Sequence, residues 1–240
     1  MVLQSGKYRA MILAAGFGSR LRPMTNDRPK ALVQWQGKAL LDHVVEKLRD
    51  EGFRDIIINV HHHAEKIIEH VKKQDSYGIN IAFSHEKEEL LDTGGGLAKA
   101  SWFLKDSPFL VYNVDILCTI SLASLMESHL ESGAMATMAV KERFTSRSLL
   151  TNDSSCLKGW RDNRSGETIL CDESASGLKP IAFSAIHIMD PAIFKFFPPA
   201  KRWPIMPFYL EFARKHTVNL YRHDGDEWMD MGKLESYANT

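Results

Sequence analysis

Short runs of consecutive apolar residues alternate along this chain with longer segments in which apolar side chains recur every three or four positions. Residues 8–14 form the first run, centred on Met11, Ile12 and Leu13, and predict a strand buried on both faces. After a loop, Leu40, Leu41, Val44, Val45 and Leu48 fall on one helical face until Gly52 stops the pattern. Residues 55–60 predict a second buried strand, and Ile67, Ile68 and Val71 mark the next helix. The alternation continues with a strand over 79–84, a loop through 93–96, a helix from about 97 to 104, and a strand over 109–112. A helix from about 122 to 131 then leads to a strand over 136–140. Continuous apolar strands separated by amphipathic helices predict an α/β domain, its sheet mainly parallel and covered by helices on both faces.

From about 144 to 179 the texture changes: Thr, Ser, Asn, Asp and Gly become frequent. Short pieces at 156–160 and 167–170 predict small antiparallel strands, an insertion or lid rather than a second domain. An apolar strand returns over 180–189, followed by helices around 191–197 and 205–215, a strand over 218–222, and Trp228-Met229-Asp230-Met231-Gly232. The sequence has no internal repeat, and a single domain over 1–240 without an appended repeat domain is expected.

Composition narrows the function classes. With 240 residues, 44% of them hydrophobic and 25% charged, the chain can bury a substantial core. Its 30 basic and 30 acidic residues cancel, which gives no overall attraction to nucleic acid or an anionic membrane. Any basic site must be local. No apolar run approaches the roughly 20 residues of a membrane span, and the expected location is the cytoplasm. Cys118, Cys156 and Cys171 are odd in number and widely spaced, so free thiols are expected rather than a disulfide framework or zinc site.

The local basic site is the loop after the first strand. Ala14-Ala15-Gly16-Phe17-Gly18-Ser19 places two glycines between strand and helix, where backbone N–H groups can face a phosphate. Leu21 stands where a dinucleotide-binding loop needs its third glycine, and no Gly-Lys-Ser/Thr closes a P-loop. Arg20, Arg22 and Lys30 add charge suited to a nucleoside triphosphate.

The pattern Gly16-x-Gly18-x-Arg20-Leu21-x-Pro23-x-Thr25, followed by Pro29-Lys30, resembles the signature of the sugar-phosphate nucleotidyltransferases. The similarity extends through Asn113-Val114-Asp115 and Trp228 to Gly232, nearly the whole chain. The resemblance implies a Rossmann-like nucleotidyltransferase fold with its site at the carboxyl ends of the strands. A nucleotide-binding half over about 1–115 would face a sugar-phosphate-binding half over about 116–240. It implies Mg²⁺ on Asp115 and Asp230, Arg20 on the leaving pyrophosphate, and Lys30 on the α-phosphate. Ala14, Ala15, Gly16, Gly18 and Ser19 would hold the nucleotide, and Thr93-Gly94-Gly95 would let the base approach bare backbone. Asn113, Lys179 and Ala185 are the expected sugar-phosphate contacts, with Lys141 a weaker one.

Many relatives have glycine where this chain has Val114, and often glycine at the place of Ala185. The resemblance is strongest to small uridylyltransferases acting on N-acetylmuramate 1-phosphate, followed by mannose-1-phosphate guanylyltransferases. A cytidylyltransferase and a catalytically silent nucleotide-sugar sensor are the alternatives. Expected partners are a nucleoside triphosphate and a sugar 1-phosphate, the chain being a monomer or homodimer without nucleic acid or membrane. His61-His62-His63 point to alternate faces of a strand and do not suggest zinc. Trp203, Phe208, Tyr209 and Phe212 are expected to pack a late helix.

Overall fold

A computed structural model of the chain describes residues 3–173 and 175–237. Its elements, in chain order, begin with β1 (Arg9–Leu13), β2 (Gln34–Trp35), β3 (Lys38–Ala39), α1 (Leu40–Asp50), β4 (Asp55–Val60) and α2 (Ala64–Lys73). Next come β5 (Asn80–His85), α3 (Asp92–Lys99), α4 (Ser101–Leu104), β6 (Phe109–Asn113), β7 (Ile116–Cys118), α5 (Leu122–Ser132) and β8 (Ala136–Lys141). The second half supplies β9 (Arg147–Thr151), β10 (Leu157–Asp162), β11 (Thr168–Leu170), β12 (Lys179–Met189), α6 (Ile205–Phe212), β13 (Val218–Arg222) and β14 (Trp228–Asp230).

Ten strands form one mixed sheet, with β11-β10-β9-β12-β6-β1-β4-β5 as its main path and β8 carrying β13 beside β12. The portion β6-β1-β4-β5 is parallel throughout. Its strands are apolar on both sides. Ala10 and Ile12 of β1 pack with Val44, Val45 and Leu48 of α1 in one layer, whereas Met11 packs with Leu97 and Phe103 in the other. Alternate side chains of one strand thus feed opposite layers, as a doubly covered sheet requires. Helix α5 starts on Ser121, whose side chain accepts from the Ser124 N–H at 3.2 Å, and ends on Gly133 in the left-handed region at φ 62°. Residues 144–179 extend the sheet through β9, which pairs antiparallel with β12 and anchors its hairpin by burying Leu149, Leu150 and Leu157.

Two departures from the sequence pattern matter for the site. The segment 93–96, expected as a loop, lies in the first turns of α3. The late helix is confined to Ile205–Phe212, and 191–196 forms a 3-10 helix. Trp203, Phe208, Tyr209 and Phe212 do pack together, with Phe197 against both Trp203 and Phe208 at about 5 Å. All three cysteines are free. Among the described residues no helix is long and apolar enough to cross a membrane.

Candidate active site

The site forms where β1 and β6 end and the chain returns as β14. Asp115 lies two residues past the end of β6, and β7 then pairs antiparallel with β14 so that Asp230 stands opposite Ile116. The Met231 N–H continues this ladder by donating to the Asp115 carbonyl at 2.8 Å. A register of backbone hydrogen bonds, rather than any local motif, therefore brings together two aspartates from distant parts of the chain.

A small third core seals the arrangement from below. Leu21, Val33, Leu40 and Met231 are almost fully buried together, with Trp35, Leu117 and Tyr237 packed against them. Leu21, which breaks the dinucleotide pattern, is the apolar anchor that ties the basic loop to the returning segment. Burying a side chain of this size is worth roughly 1.5–3 kcal/mol.

At the centre is Gly232. A Cβ there would overlap Asp115 Oδ2, lie 2.9 Å from Asp230 Oδ1 and 3.4 Å from Arg20 Nη2. The missing side chain leaves a cradle edged by two carboxylates and a guanidinium. Lys30 Nζ donates to Asp115 Oδ2 at 2.5 Å, both side chains being largely buried. Asp115 Oδ1 is buried without a hydrogen-bond partner. Nearby, burial pushes the Tyr237 hydroxyl up to about 12, and the charges of Asp115 and Asp230 push in the same direction. Among the described residues no group of three or more His, Cys, Asp or Glu could hold a metal. A hard divalent cation using two carboxylates and completing its shell with phosphate and water oxygens fits this donor set, and the orphaned Oδ1 gives it a ligand.

The glycine loop lies beside the cradle. Gly18 adopts φ 64°, its carbonyl accepts from Thr25 Oγ1 at 2.9 Å, and a Cβ on it would meet Lys30 and Thr25 at 3.0 Å. Only glycine suits that conformation and that space. Nothing lies within 4 Å of the Cβ position on Gly16, which leaves that face open. Ala14 and Ala15 are buried, Ser19 and Arg20 exposed, and the Ala14 N–H donates to Asn59 Oδ1 at 2.7 Å. Asn59 in turn donates to buried Glu86, which also accepts from the Leu91 N–H. This network joins the ends of β1, β4 and β5. Asn113 closes β6 one turn before Asp115, opposite Leu13.

The expected open backbone at Thr93-Gly94-Gly95 requires correction. A Cβ on Gly94 would strike the Trp203 indole, and one on Gly95 the Lys201 carbonyl. The Gly94 and Gly95 N–H groups donate to the Trp203 carbonyl, and Thr93 Oγ1 accepts from the Ile205 N–H. The Cβ faces of these two glycines are thus filled by the protein's own Trp203 ring and Lys201 backbone. Gly96, likewise, makes room for Glu86 and Asn59.

The residues expected to contact the sugar phosphate take separate places in the fold. Lys179 opens β12 opposite Thr151, is exposed, and pairs with exposed Asp153 at 3.2 Å. Lys141 Nζ donates to the carbonyls of Asp224 and Asp226, bracing the turn before β14. Ala185 has φ 58°, in the left-handed region, within a β12 bulge between Phe183 and His187. A glycine, the residue expected from the family pattern, would hold this conformation without strain.

The bulge has two tenants that sequence reasoning missed. Arg143 Nη2 donates to the Phe183 carbonyl at 2.7 Å, and Trp228 Nε1 donates to the next carbonyl, Ser184, at 3.0 Å. The Arg143 guanidinium stacks 3.7 Å from the Trp228 ring centroid. Burial lowers its pKa, and the charge of Asp230 acts in the opposite sense. The signal in the sequence was Trp228 two positions before Asp230, but its partner depended on the bulge. His61, finally, bonds the Glu86 carbonyl at 2.6 Å, and His63 begins α2 with φ 55°.

Comparison with known proteins bears on this geometry. The nucleotidyl transferase family model matches residues 9–147. The chain is 31% identical over 229 residues to the N-acetylmuramate alpha-1-phosphate uridylyltransferase of Caulobacter vibrioides, covering 90% of this chain and 91% of the relative. It is also 31% identical to a mannose-1-phosphate guanyltransferase of Schizosaccharomyces pombe, covering 95% of this chain but 62% of that protein. Among solved structures, HddC from Yersinia pseudotuberculosis complexed with GMP-PN matches with a TM-score of 0.77 and 25% identity over 97% of both chains.

Proposed function

Because this chain belongs to the nucleotidyl transferase family and is a sugar-1-phosphate nucleotidyltransferase, we propose that it joins UMP from UTP to N-acetylmuramate 1-phosphate, using Mg²⁺ held by Asp115 and Asp230. The observation that carries this reading is the cradle at Gly232, ringed by Asp115, Asp230 and Arg20, with Lys30 on Asp115.

The acceptor phosphate is anionic near neutral pH, so no base has to remove a proton. Its oxygen forms a bond to the α-phosphorus as the bridge to the β-phosphate breaks and pyrophosphate leaves with the electron pair. The site's work is alignment and charge neutralisation. A divalent cation held by Asp115 and Asp230 would supply positive charge that offsets the charge of the phosphates. Lys30, fixed against Asp115, would neutralise charge building on the α-phosphate, and Arg20 would stabilise the leaving pyrophosphate. Gly16 and Gly18 admit the triphosphate to the backbone of residues 14–19.

The uridylyl reading is supported by the match across nearly the full length of the Caulobacter enzyme. A guanylyl reading with mannose 1-phosphate is supported by the yeast relative and by the GMP-PN of the HddC complex. The complete charge set argues against a silent sensor, which has no use for a leaving-group cation. The test is a grid of the four nucleoside triphosphates against sugar 1-phosphates with Mg²⁺, scored by pyrophosphate release. UTP with N-acetylmuramate 1-phosphate should give the highest kcat/KM. An inert UTP pair beside rapid turnover of GTP with mannose 1-phosphate would replace it.

A further inference from the structure

Arg143 is a half-buried cation with no counterion of its own. Its Nη2 is committed to the Phe183 carbonyl, its Nη1 donates to the Phe144 carbonyl at 3.4 Å and its face packs on Trp228, while its Nε is buried with no hydrogen-bond partner. Among the described residues no carboxylate lies within ion-pair distance of it, whereas exposed arginines such as Arg164 and Arg222 have theirs. Leaving a guanidinium partly desolvated and unpaired is costly, and a structure that holds one in a fixed position gains most when an anion completes the site.

The geometry also fixes where that anion would lie. Trp228 and Asp230 are two residues apart on β14 and share a face, with Cα atoms about 7 Å apart. Arg143, stacked on Trp228, therefore stands on the face to which Asp230 points. Charge coupling between Arg143 and Asp230 agrees with that placement. Arg20 and Lys30 come from the glycine loop on the nucleotide side. Arg143 instead follows β8 and is anchored on β12, in the other half of the sheet.

We propose that Arg143, braced by Trp228 and the β12 bulge at Ala185, binds the phosphate of the acceptor sugar 1-phosphate and holds it against Asp230 for attack. This rests on the transferase reading above. The bulge serves that purpose: it directs consecutive carbonyls, Phe183 and Ser184, to the guanidinium and to the indole N–H, fixing the cation's position. The role expected of Lys179 passes to Arg143.

The test compares wild type with Arg143→Ala and Arg143→Lys, using the best nucleotide and sugar 1-phosphate pair from the grid. Arg143→Ala should raise KM for the sugar 1-phosphate at least 30-fold while KM for the nucleoside triphosphate changes less than threefold. Arg143→Lys keeps the charge without the stacked fork, and should fall between them. An unchanged sugar-phosphate KM, or an equal rise in both KM values, overturns the proposal. The second outcome would mark a merely structural role. If Arg143→Ala does not fold, Arg143→Lys carries the same test, with at least a fivefold rise expected in the sugar-phosphate KM alone. If wild type releases no pyrophosphate with any pair, the transferase reading fails. Titration with inorganic phosphate then decides for Arg143: one fewer equivalent bound by Arg143→Ala supports the site, and equal binding overturns it.

Discussion

Substituting Gly232 by alanine is the sharpest perturbation the site allows, because one methyl group enters the space between its charged groups. The new Cβ would overlap Asp115 Oδ2, approach Asp230 Oδ1 to 2.9 Å and meet Arg20 Nη2 at 3.4 Å. Backbone can yield little there. The Gly232 N–H donates to Asp230 Oδ1 at 2.9 Å and Met231 is tied to the Asp115 carbonyl. The Asp115 carboxylate must then withdraw by roughly 1 Å, a misplacement that costs about 100-fold in rate where catalysis depends on alignment. Overpacking should add about 1–3 kcal/mol of destabilisation. Pyrophosphate release at saturating substrates, followed across a Mg²⁺ titration, reads the effect. Expected are a fall in kcat near 100-fold and a higher Mg²⁺ requirement. Gly16→Ala, whose Cβ meets nothing within 4 Å, provides the steric control in the unliganded chain and should leave the melting temperature unchanged. If Gly232→Ala keeps kcat within threefold with an unshifted Mg²⁺ profile, the cradle is not the metal and phosphate site.

Three other outcomes are expected. Arg20→Ala should lower kcat by about 10²–10³ with an unchanged melting temperature, whereas Lys30→Ala should lower both, because it leaves the Asp115 carboxylate buried without its cation; paired kinetics and calorimetry check this, and near-normal turnover of either variant removes that residue from the mechanism. Ala185→Gly relieves the left-handed strain at φ 58° and should raise stability by about 1 kcal/mol, or roughly 2–4 °C in the melting temperature; no change or a loss would mean the bulge is unstrained. Burial pushes the His187 imidazole down to about 3, so the unfolded chain binds a proton that the folded chain refuses. Its stabilising contribution is whole above pH 6.5 and is lost as pH falls from there toward 3, with His129 and His223, also lowered by burial, acting in the same direction. Urea midpoints at pH 7.5 and 5 should therefore separate for wild type and separate less for His187→Leu, in which His129 and His223 remain; equal separation in both would dismiss His187 as a source.

The elements legible in the sequence are those whose residues carry their own pattern. β4 falls on the predicted residues because a continuous apolar run demands burial on both sides, β13 because buried Val218 and Leu220 alternate with more exposed positions, and α1 because Leu40, Val44 and Leu48 share a face. Asp115 and Asp230 were legible through resemblance, not through periodicity. What brings them together, the β7 and β14 ladder, involves two strands of three residues each and gives no periodic signal. The glycines at 94–96 misled because a glycine run reads as a turn, whereas here the space is claimed by Trp203, Lys201 and Glu86 from elsewhere in the chain. Arg143 was invisible for a similar reason: its value depends on a bulge and an indole distant in sequence. Pattern reveals what a residue does for its own element; its neighbours across the fold determine the rest.

The central claim is that the acceptor phosphate attacks the α-phosphorus at the Asp115 and Asp230 cradle. The direct test supplies the sugar 1-phosphate with ¹⁸O in its phosphate, together with unlabelled nucleoside triphosphate and Mg²⁺, and weighs both products. All the ¹⁸O should appear in the nucleotide sugar and none in the pyrophosphate, and Asp115→Asn and Asp230→Asn should abolish both products. Label in the pyrophosphate, or release of orthophosphate in its place, would contradict the account.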